Sequence, residues 1–158
     1  MLIMGIDPGL RHTGWGIVDF TNNQFQHIAN GTLNISEKGT LPERLAEIYK
    51  RLREVLEQYK PEEVAVEEVF VNVNPSSTLK LGQARGVAIL TPSLLGISVF
   101  EYSPNLIKKS VVGIGHATKE QIQMMVGVLL NKPKIDSEHS GDALAMAICH
   151  AHNRKNGL

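Results

Sequence analysis

An apolar run that ends on an acid opens the chain and constrains its fold most strongly. Residues 2–7, LIMGID, have the composition of a buried strand, yet the run closes on Asp7 and is followed at once by Pro8 and Gly9. Adjacent proline and glycine favour a turn. A second strand-like run, TGWGIVDF, follows at residues 13–20. The pattern predicts two strands joined by a turn, the first of which ends on a carboxylate.

The next segments predict a third strand and a long helix. Asn22-Asn23 marks a turn before the less regular strand-like residues 24–35. Residues 41–59 carry apolar side chains at spacings of three and four, which is the pattern of a helix with one buried face. Thr40 with Glu43 forms a T-x-x-E capping box at its start, and Lys60-Pro61 ends it.

The second half of the chain alternates between the two kinds of element. We expect a strand at 62–70, a helix from about 76 to 90, a strand at 97–102, a helix opened by Thr118, and a last helix capped by Asp136 or Ser137. Three strands, a helix and then alternating elements indicate one mixed-sheet α/β domain spanning residues 1–158.

Composition limits the class of protein. Hydrophobic residues make up 42% and charged residues 20% of the 158 residues, which is globular, and no apolar run approaches the roughly 20 residues that cross a bilayer. The chain enters its first strand without a basic leader region, and its single cysteine, Cys149, fits core packing in a reducing cytoplasm.

Sixteen basic and sixteen acidic residues balance, so net charge is compatible with nucleic-acid binding without supporting it. We interpret His150 and His152 as part of a frayed helix end and not as metal ligands.

Several polar residues stand where the apolar context predicts something else. Glu67 and Glu68 lie inside AVEEVF, where alternation sends them to opposite faces, so that one of them is a bystander. His139 and Asp142 are three residues apart on a predicted helix and therefore share a face. Taken singly, these acids have ordinary explanations as turn, solvent-facing or helix-start residues, and the histidine as a surface or capping residue. Together with Asp7 they suggest a divalent-metal site, because hard cations take oxygen ligands.

Five distinctive blocks follow one another along the chain: IMGIDPGLRHTGWGIV, AVEEVF, LKLGQARGVAI, VVGIG followed by ATK, and GDALAMAICHAH. In sequence and in order these blocks resemble the RuvC family of crossover (Holliday) junction endodeoxyribonucleases. The resemblance implies an RNase H-like α/β fold with a mixed five-stranded sheet flanked by helices.

The resemblance also implies a set of site residues. The family's metal-site positions fall on Asp7, Glu67, His139 and Asp142, and the Ala-Val pair selects Glu67 over Glu68. Many members carry aspartate where this chain has His139. An imidazole can ligate Mn²⁺-like ions, although it suits Mg²⁺ less well, and it could instead orient or deprotonate the attacking water.

The activity implied by the resemblance is hydrolysis of DNA phosphodiesters at a four-way junction. Paired symmetric nicks would leave 5′-phosphate and 3′-hydroxyl ends without a covalent intermediate. The implied cofactor is Mg²⁺, with Mn²⁺ as a substitute and two ions per subunit. A C2 homodimer fits two symmetric cuts. The resemblance further implies partners of the RuvA and RuvB branch-migration type and a cytoplasmic location.

The DNA contacts follow from the same resemblance. Phe70 matches the aromatic that stacks on an unpaired base near the cut, although a core phenylalanine at a strand end is an equal interpretation of the residue alone. Lys108 and Lys119 match basic residues that hold phosphate near the site. Lys80 and Arg85, in LKLGQARG, match a region of junction and dimer contacts.

Two other functions stay open at this point. An actin- or Hsp70-like ATPase also begins with a strand ending in D-x-G followed by a hairpin, but such enzymes need two of these domains and 158 residues hold one. A junction-binding protein that has lost cleavage through the histidine substitution is the second alternative. The presence of Asp7, Glu67 and Asp142 argues against it.

Overall fold

The computed structural model describes residues 1–69 and 74–154 and contains a five-stranded sheet with helices on both faces. Along the chain the elements are β1 Leu2–Asp7, β2 His12–Thr21, β3 Gln24–Asn34, α1 Leu41–Tyr59, β4 Glu63–Glu67, α2 Pro75–Leu94, β5 Ser98–Tyr102, α3 Pro104–Val112, α4 Lys119–Leu129 and α5 Glu138–Asn153. In space the strands follow the order β3-β2-β1-β4-β5.

The sheet is mixed, as the sequence predicts. Strands β1, β2 and β3 pair antiparallel, whereas β4 pairs parallel with β1 and β5 parallel with β4. Asn22 and Asn23, with φ of 53° and 59°, form the two-residue turn between β2 and β3. Helices α1 and α2 are the crossovers that parallel pairing needs. The carboxyl ends of β1, β4 and β5 therefore meet at one edge.

Two apolar layers cover the sheet. On one face, α1 and α2 pack over sheet residues such as Met4, Ile6 and Val66. On the other face, α3, α4 and α5 pack over Ile3 and Ala65. Most of α5 is buried between the sheet and the two other helices, because small and apolar residues fill its length.

A glycine in β1 lets α5 lie directly on the sheet. A Cβ at Gly5 would stand 1.7 Å from the carbonyl oxygen of Ala143, closer than any side chain can approach. Only glycine permits this separation between strand and helix. The position and direction of α5 are thereby fixed relative to β1.

The structure confirms the predicted helix at 41–59 in detail. It begins behind Thr40, whose hydroxyl accepts a hydrogen bond from the Glu43 amide while the Glu43 carboxylate accepts one from the Thr40 amide. It ends at Lys60, in the left-handed conformation with φ of 49°. Cys149 is fully buried, in agreement with the core interpretation.

Other bounds differ from the prediction. Strand β4 ends at Glu67, so the predicted strand of 62–70 is too long, because Glu68 and Val69 no longer face a neighbouring layer and are exposed. Helix α2 runs to Leu94, past the predicted end near residue 90. It passes through Pro92, a buried residue near the helix end that has no amide hydrogen to donate.

Helix α3 is absent from the sequence prediction. It begins at Pro104 behind the capping hydroxyl of Ser103 and ends at Gly113, whose φ of 92° favours glycine. The Ser-Pro and Gly signals at its two ends were available. Nine residues, however, are too few to show a helical period clearly.

The expectation of a frayed helix end at His150 is wrong. Its side chain is fully buried, with Nδ1 2.6 Å from the hydroxyl of Tyr102 and Nε2 2.5 Å from a carboxylate oxygen of Glu63. Arg154 Nε lies 2.9 Å from the same Glu63 carboxylate. Because α5 continues to Asn153, His150 lies within the packed helix and joins it to β4 and β5.

None of the helices in residues 1–69 and 74–154 is both long enough and apolar enough to span a bilayer.

Candidate active site

The site begins with two carboxylates at the ends of neighbouring strands. Ile6 of β1 pairs in parallel with Val66 of β4, so Asp7 and Glu67 leave the sheet side by side. Both point to the face covered by α5, since Ile3 and Ala65, at alternate positions of the same strands, pack on that face. Glu68 comes after the end of β4 and is exposed.

Helix α5 brings the other two predicted residues to the same edge. Ser137 caps the helix, and its hydroxyl lies 2.5 Å from that of Thr32 on β3, which ties the helix start to the sheet. His139 and Asp142 then fall one turn apart on the side that faces β1. The sequence analysis predicted Asp136 or Ser137 as the cap, and the structure confirms Ser137, so that Asp142 lies in the second turn of the helix.

The carboxylates of Asp7 and Asp142 each have a defined hydrogen-bond partner. His139 Nδ1 lies 3.2 Å from Asp7 Oδ2. The amide of Gln123, on α4, donates to Asp142 Oδ1 at 2.9 Å, and Lys119 Nζ lies 3.5 Å from Asp142 Oδ2. Lys119 also contacts Glu138, so α4 and α5 are joined by charge at the rim of the site.

Burial, together with neighbouring negative charge, makes the three carboxylates harder to ionise. Burial, and then the charge of Asp142, raise the pKa of Asp7 to about 6, despite its hydrogen bond with His139. Burial, Asp7 and Asp142 likewise raise the pKa of Glu67, against the opposing effect of Lys108 and Lys119. Burial raises the pKa of Asp142, and Lys119 partly offsets it. Three acids with raised pKa values in one place form a site that a cation would stabilise.

A cavity of about 310 Å³ opens beside these acids. Glu67 and Asp142 form part of its wall, and Lys108 and Lys119 bring positive charge to it. Ile107, Ala145 and other apolar side chains complete the lining. Carboxylates that can bind a metal ion and lysines that can donate hydrogen bonds to a phosphate therefore surround one opening.

The donor set fits a divalent metal ion of the hard class. Carboxylate oxygens from Asp7, Glu67 and Asp142 are the ligands that Mg²⁺ and Mn²⁺ take in proteins, and an imidazole is acceptable to Mn²⁺. Within residues 1–69 and 74–154 no three His, Cys, Asp or Glu side chains stand close enough to enclose an ion as they are. To bind a cation, the Asp7 carboxylate would give up its hydrogen bond with His139, and the Asp142 carboxylate would give up its hydrogen bond with Gln123.

The remaining sequence-predicted residues lie around the site in different roles. Lys80 is exposed and lines a second cavity, of about 640 Å³, which His139 also borders. Arg85 points into the protein: its Nε donates to the carbonyl of Glu67 at 3.1 Å and its Nη2 lies 2.9 Å from Glu101. The structure therefore shows Arg85 bracing the end of β4. Phe70 lies outside the described residues.

Sequence reasoning missed two contacts of the site. Gln123 fixes one oxygen of Asp142, and the ring of His12 stacks on the ring of His139 with centroids 5.2 Å apart. His12 lies within the block IMGIDPGLRHTGWGIV, but nothing in that block marks it as a contact of the site, and Gln123 lies in no block that carries the resemblance. The available signal was indirect: glycines at positions 14 and 16, inside a strand, indicate that a neighbouring backbone lies close to that face.

Comparison with known proteins gives one consistent result. The family model described as "Crossover junction endodeoxyribonuclease RuvC" matches residues 3–150. Curated proteins of that name are similar over nearly the whole chain. The one from Bartonella quintana is 53% identical over 152 residues, which is 96% of this chain and 90% of its own. The one from Azorhizobium caulinodans is 55% identical with the same coverage.

Solved structures show the same likeness. RuvC of Thermus thermophilus in complex with a Holliday junction substrate superposes with a TM-score of 0.88 and 34% identity, covering 96% of this chain and 93% of its own. A second structure of the same protein superposes with a TM-score of 0.86. The RNase H-like α/β fold expected from the sequence is therefore confirmed.

Proposed function

The chain belongs to the RuvC family of crossover junction endodeoxyribonucleases, and from this membership we propose that the site at Asp7, Glu67, His139 and Asp142 cuts four-way DNA junctions. The family is one of metal-dependent nucleases that act in recombination and repair. Residues 1–158 would work as one nuclease domain. Membership in this family removes the ATPase alternative that the D-x-G start left open.

The convergence of three carboxylates carries the proposal. Asp7, Glu67 and Asp142 come from β1, β4 and α5, and the charge of Asp142 raises the pKa of both other acids. Repulsion between buried carboxylates lowers the stability of the fold, and such an arrangement is typical of sites where a function requires it. A junction-binding protein without cleavage would have no need of this cluster, so we favour an active nuclease.

We assign the roles as follows. Asp7, Glu67 and Asp142, as carboxylates, would hold Mg²⁺, with Mn²⁺ as a substitute and two ions per subunit. The bound metal would supply an activated water and charge stabilisation at the phosphate undergoing cleavage. His139, with Nδ1 toward Asp7, would serve as a further ligand or accept a proton from the attacking water. Gln123 keeps Asp142 in one orientation.

The lysines at the cavity would hold the substrate. Lys108 and Lys119 line the opening next to Glu67 and Asp142, where each could meet a phosphate oxygen. Lys80, at the second cavity, would contact the backbone further from the cut. Phe70, from its match to the family's stacking aromatic, would stack on a base beside the cut.

The outward face of α2 supports a homodimer. Leu79, Leu90 and Leu94 are 64%, 52% and 62% exposed along one side of the helix, far more than core leucines. Gly82 and Gly86 lie between them with open space above their Cα atoms, so a second helix could approach closely. A C2 pair through this face would present two sites to one junction, and partners of the RuvA and RuvB type would act on the same DNA.

A direct experiment tests the function. A synthetic four-way junction, labelled on each strand in turn, is incubated with the protein and Mg²⁺ or Mn²⁺, and the products are mapped on a sequencing gel. We expect paired nicks at symmetric positions in opposite strands, with 5′-phosphates that ligase can reseal. Linear duplex of the same sequence is the control. Nicks on the duplex at an equal rate, or junction binding without cleavage in either metal, would contradict the proposal.

A further inference from the structure

We propose that His12 is a positioning residue for His139 and that Asn34 holds His12 in place; this rests on the proposed function of the site. His12 begins β2, on the same face as Gly14 and Gly16, since side chains alternate along a strand. Those glycines face the start of α5. Because Gly14 and Gly16 have no side chains, His12 is the first residue of β2 with a side chain on the face toward α5. Its ring contacts the ring of His139.

The two rings form a close, nearly parallel pair. Their centroids are 5.2 Å apart and their planes differ by 26°, which is a stacked arrangement within the usual range for ring pairs. The His139 ring is thus held at two places, by the hydrogen bond of Nδ1 to Asp7 and by His12 against its face. Its Nε2 has no hydrogen-bond partner within the described part of the chain.

The sheet fixes the supporting ring. His12 pairs directly with Asn34 across β2 and β3, and its Nδ1–H donates to Asn34 Oδ1 at 2.8 Å. Asn34 thereby sets both the ring plane and the tautomer of His12. Without this support the His139 side chain, 42% exposed, would have other rotamers open to it on the side of the second cavity.

This arrangement gives His12 a function that depends on the histidine at position 139. An aspartate at position 139 has no ring on which His12 could stack, so a positioning role of His12 would be lost. A direct contact of His12 with DNA would remain, because it does not depend on a ring at position 139. The effect of removing His12 should therefore disappear when His139 is replaced by aspartate. A double-mutant cycle measures this dependence.

The first measurement needs neither metal nor DNA. Long-range ¹H–¹⁵N spectra of the histidine rings are recorded for metal-free wild type, His12→Ala, His12→Phe and Asn34→Ala. We expect the His139 signals to move in His12→Ala and to move less in His12→Phe, which keeps an aromatic face. His152→Ala, an exposed histidine near the far end of α5, is the matched control. Unmoved His139 signals in His12→Ala would overturn the proposal, whatever the protein's activity.

The second measurement follows cleavage under single-turnover conditions together with junction affinity. We expect His12→Ala to slow cleavage about tenfold with an unchanged Kd, and His12→Phe to recover most of the rate, because small displacements of a reacting group are costly. In the His139→Asp background, His12→Ala should change nothing. An equal loss in both backgrounds, or a weaker Kd with normal cleavage, would make His12 a DNA contact and overturn the proposal.

Discussion

The backbone of Gly14 in β2 lies against the backbone of His139 in α5. A Cβ at position 14 would stand 2.2 Å from both the carbonyl carbon and the carbonyl oxygen of His139, well inside any permitted contact. Together with Gly5 against Ala143, this contact sets how deeply α5 sits on the sheet. The distance of His139 and Asp142 from Asp7 is therefore decided by residues that carry no chemistry themselves.

Gly14→Ala should consequently damage both the fold and the site. The methyl group meets backbone that cannot rotate away, so α5 must move, at a cost of about 1–3 kcal/mol in the free energy of unfolding. Cleavage should fall further than stability explains. Gly127→Ala is the matched control, because nothing lies within 4 Å of that position in α4 and alanine favours a helix. Urea unfolding measures the loss of stability. The cleavage rate on a junction, measured at a temperature where both variants are folded, tests the effect on the site.

Neutral versions of the three acids should separate binding from cutting. We expect Asp7→Asn, Glu67→Gln and Asp142→Asn each to lower cleavage by at least about a hundredfold, since each removes a ligand charge at nearly constant size. Junction affinity should stay close to wild type. Glu68→Gln, one residue beyond Glu67 and exposed, should cut normally. Gel-shift and cleavage assays on one junction test this, and near-normal cutting by any of the three would remove that residue from the site.

Two neighbouring lysines of α3 offer a matched pair. Lys108 lines the cavity with Glu67 and Asp142, whereas Lys109 is exposed on another side of the helix. Lys108→Ala should slow cleavage about tenfold or more, because a cation near the phosphate is lost, and Lys109→Ala should have little effect. The salt dependence of junction binding should weaken in both to a similar, small extent. Equal cleavage rates in the two variants would contradict a specific role for Lys108.

The sequence was most informative where local chemistry decides structure. Thr40, Glu43 and Lys60 bounded α1 correctly, because capping and termination depend on a few adjacent residues. The acid at the end of β1 was visible because Asp7 breaks an apolar run. Helix α3 was missed because its nine residues show too little of the helical period.

Contacts between distant segments could not be derived from the pattern. The orientation of Arg85 toward the Glu67 carbonyl, the stack of His12 on His139 and the burial of His150 against Tyr102 join residues far apart in sequence. Their geometry depends on how deeply α5 packs and where β4 stops. For His150 the local pattern even indicated the opposite, since a histidine near a helix end is usually exposed.

The histidine at position 139 should set the preference for metal. His139→Asp restores the arrangement common in the family, so we expect it to retain cleavage and to shift the ratio of rates toward Mg²⁺ over Mn²⁺, as an oxygen ligand suits the harder ion. His139→Ala should lose most activity in both metals. Single-turnover rates in each metal for the three proteins provide the test. An active alanine variant with an unchanged metal ratio would reduce His139 to a bystander.

Asp7 should make the metal-free protein less stable at neutral pH than an asparagine variant. Burial and Asp142 raise the pKa of Asp7 from 3.8 to about 6 in the folded state, so ionisation costs more there than in the unfolded chain. The penalty is absent below the unfolded pKa, grows between about pH 4 and 6, and is complete above that range. Asp7→Asn carries no such penalty.

We therefore expect Asp7→Asn to be more stable than wild type by about 1–3 kcal/mol at about pH 7.5 in the presence of EDTA, and the difference to shrink toward zero near about pH 4. Adding Mg²⁺ at neutral pH should reverse the order, because the cation binds only the folded wild-type site and stabilises it by mass action. Urea denaturation across this pH range, with and without Mg²⁺, measures all three quantities. A stability difference that does not vary with pH would show that Asp7 is not held under strain, and an equal Mg²⁺ effect on both proteins would show that the ion binds elsewhere.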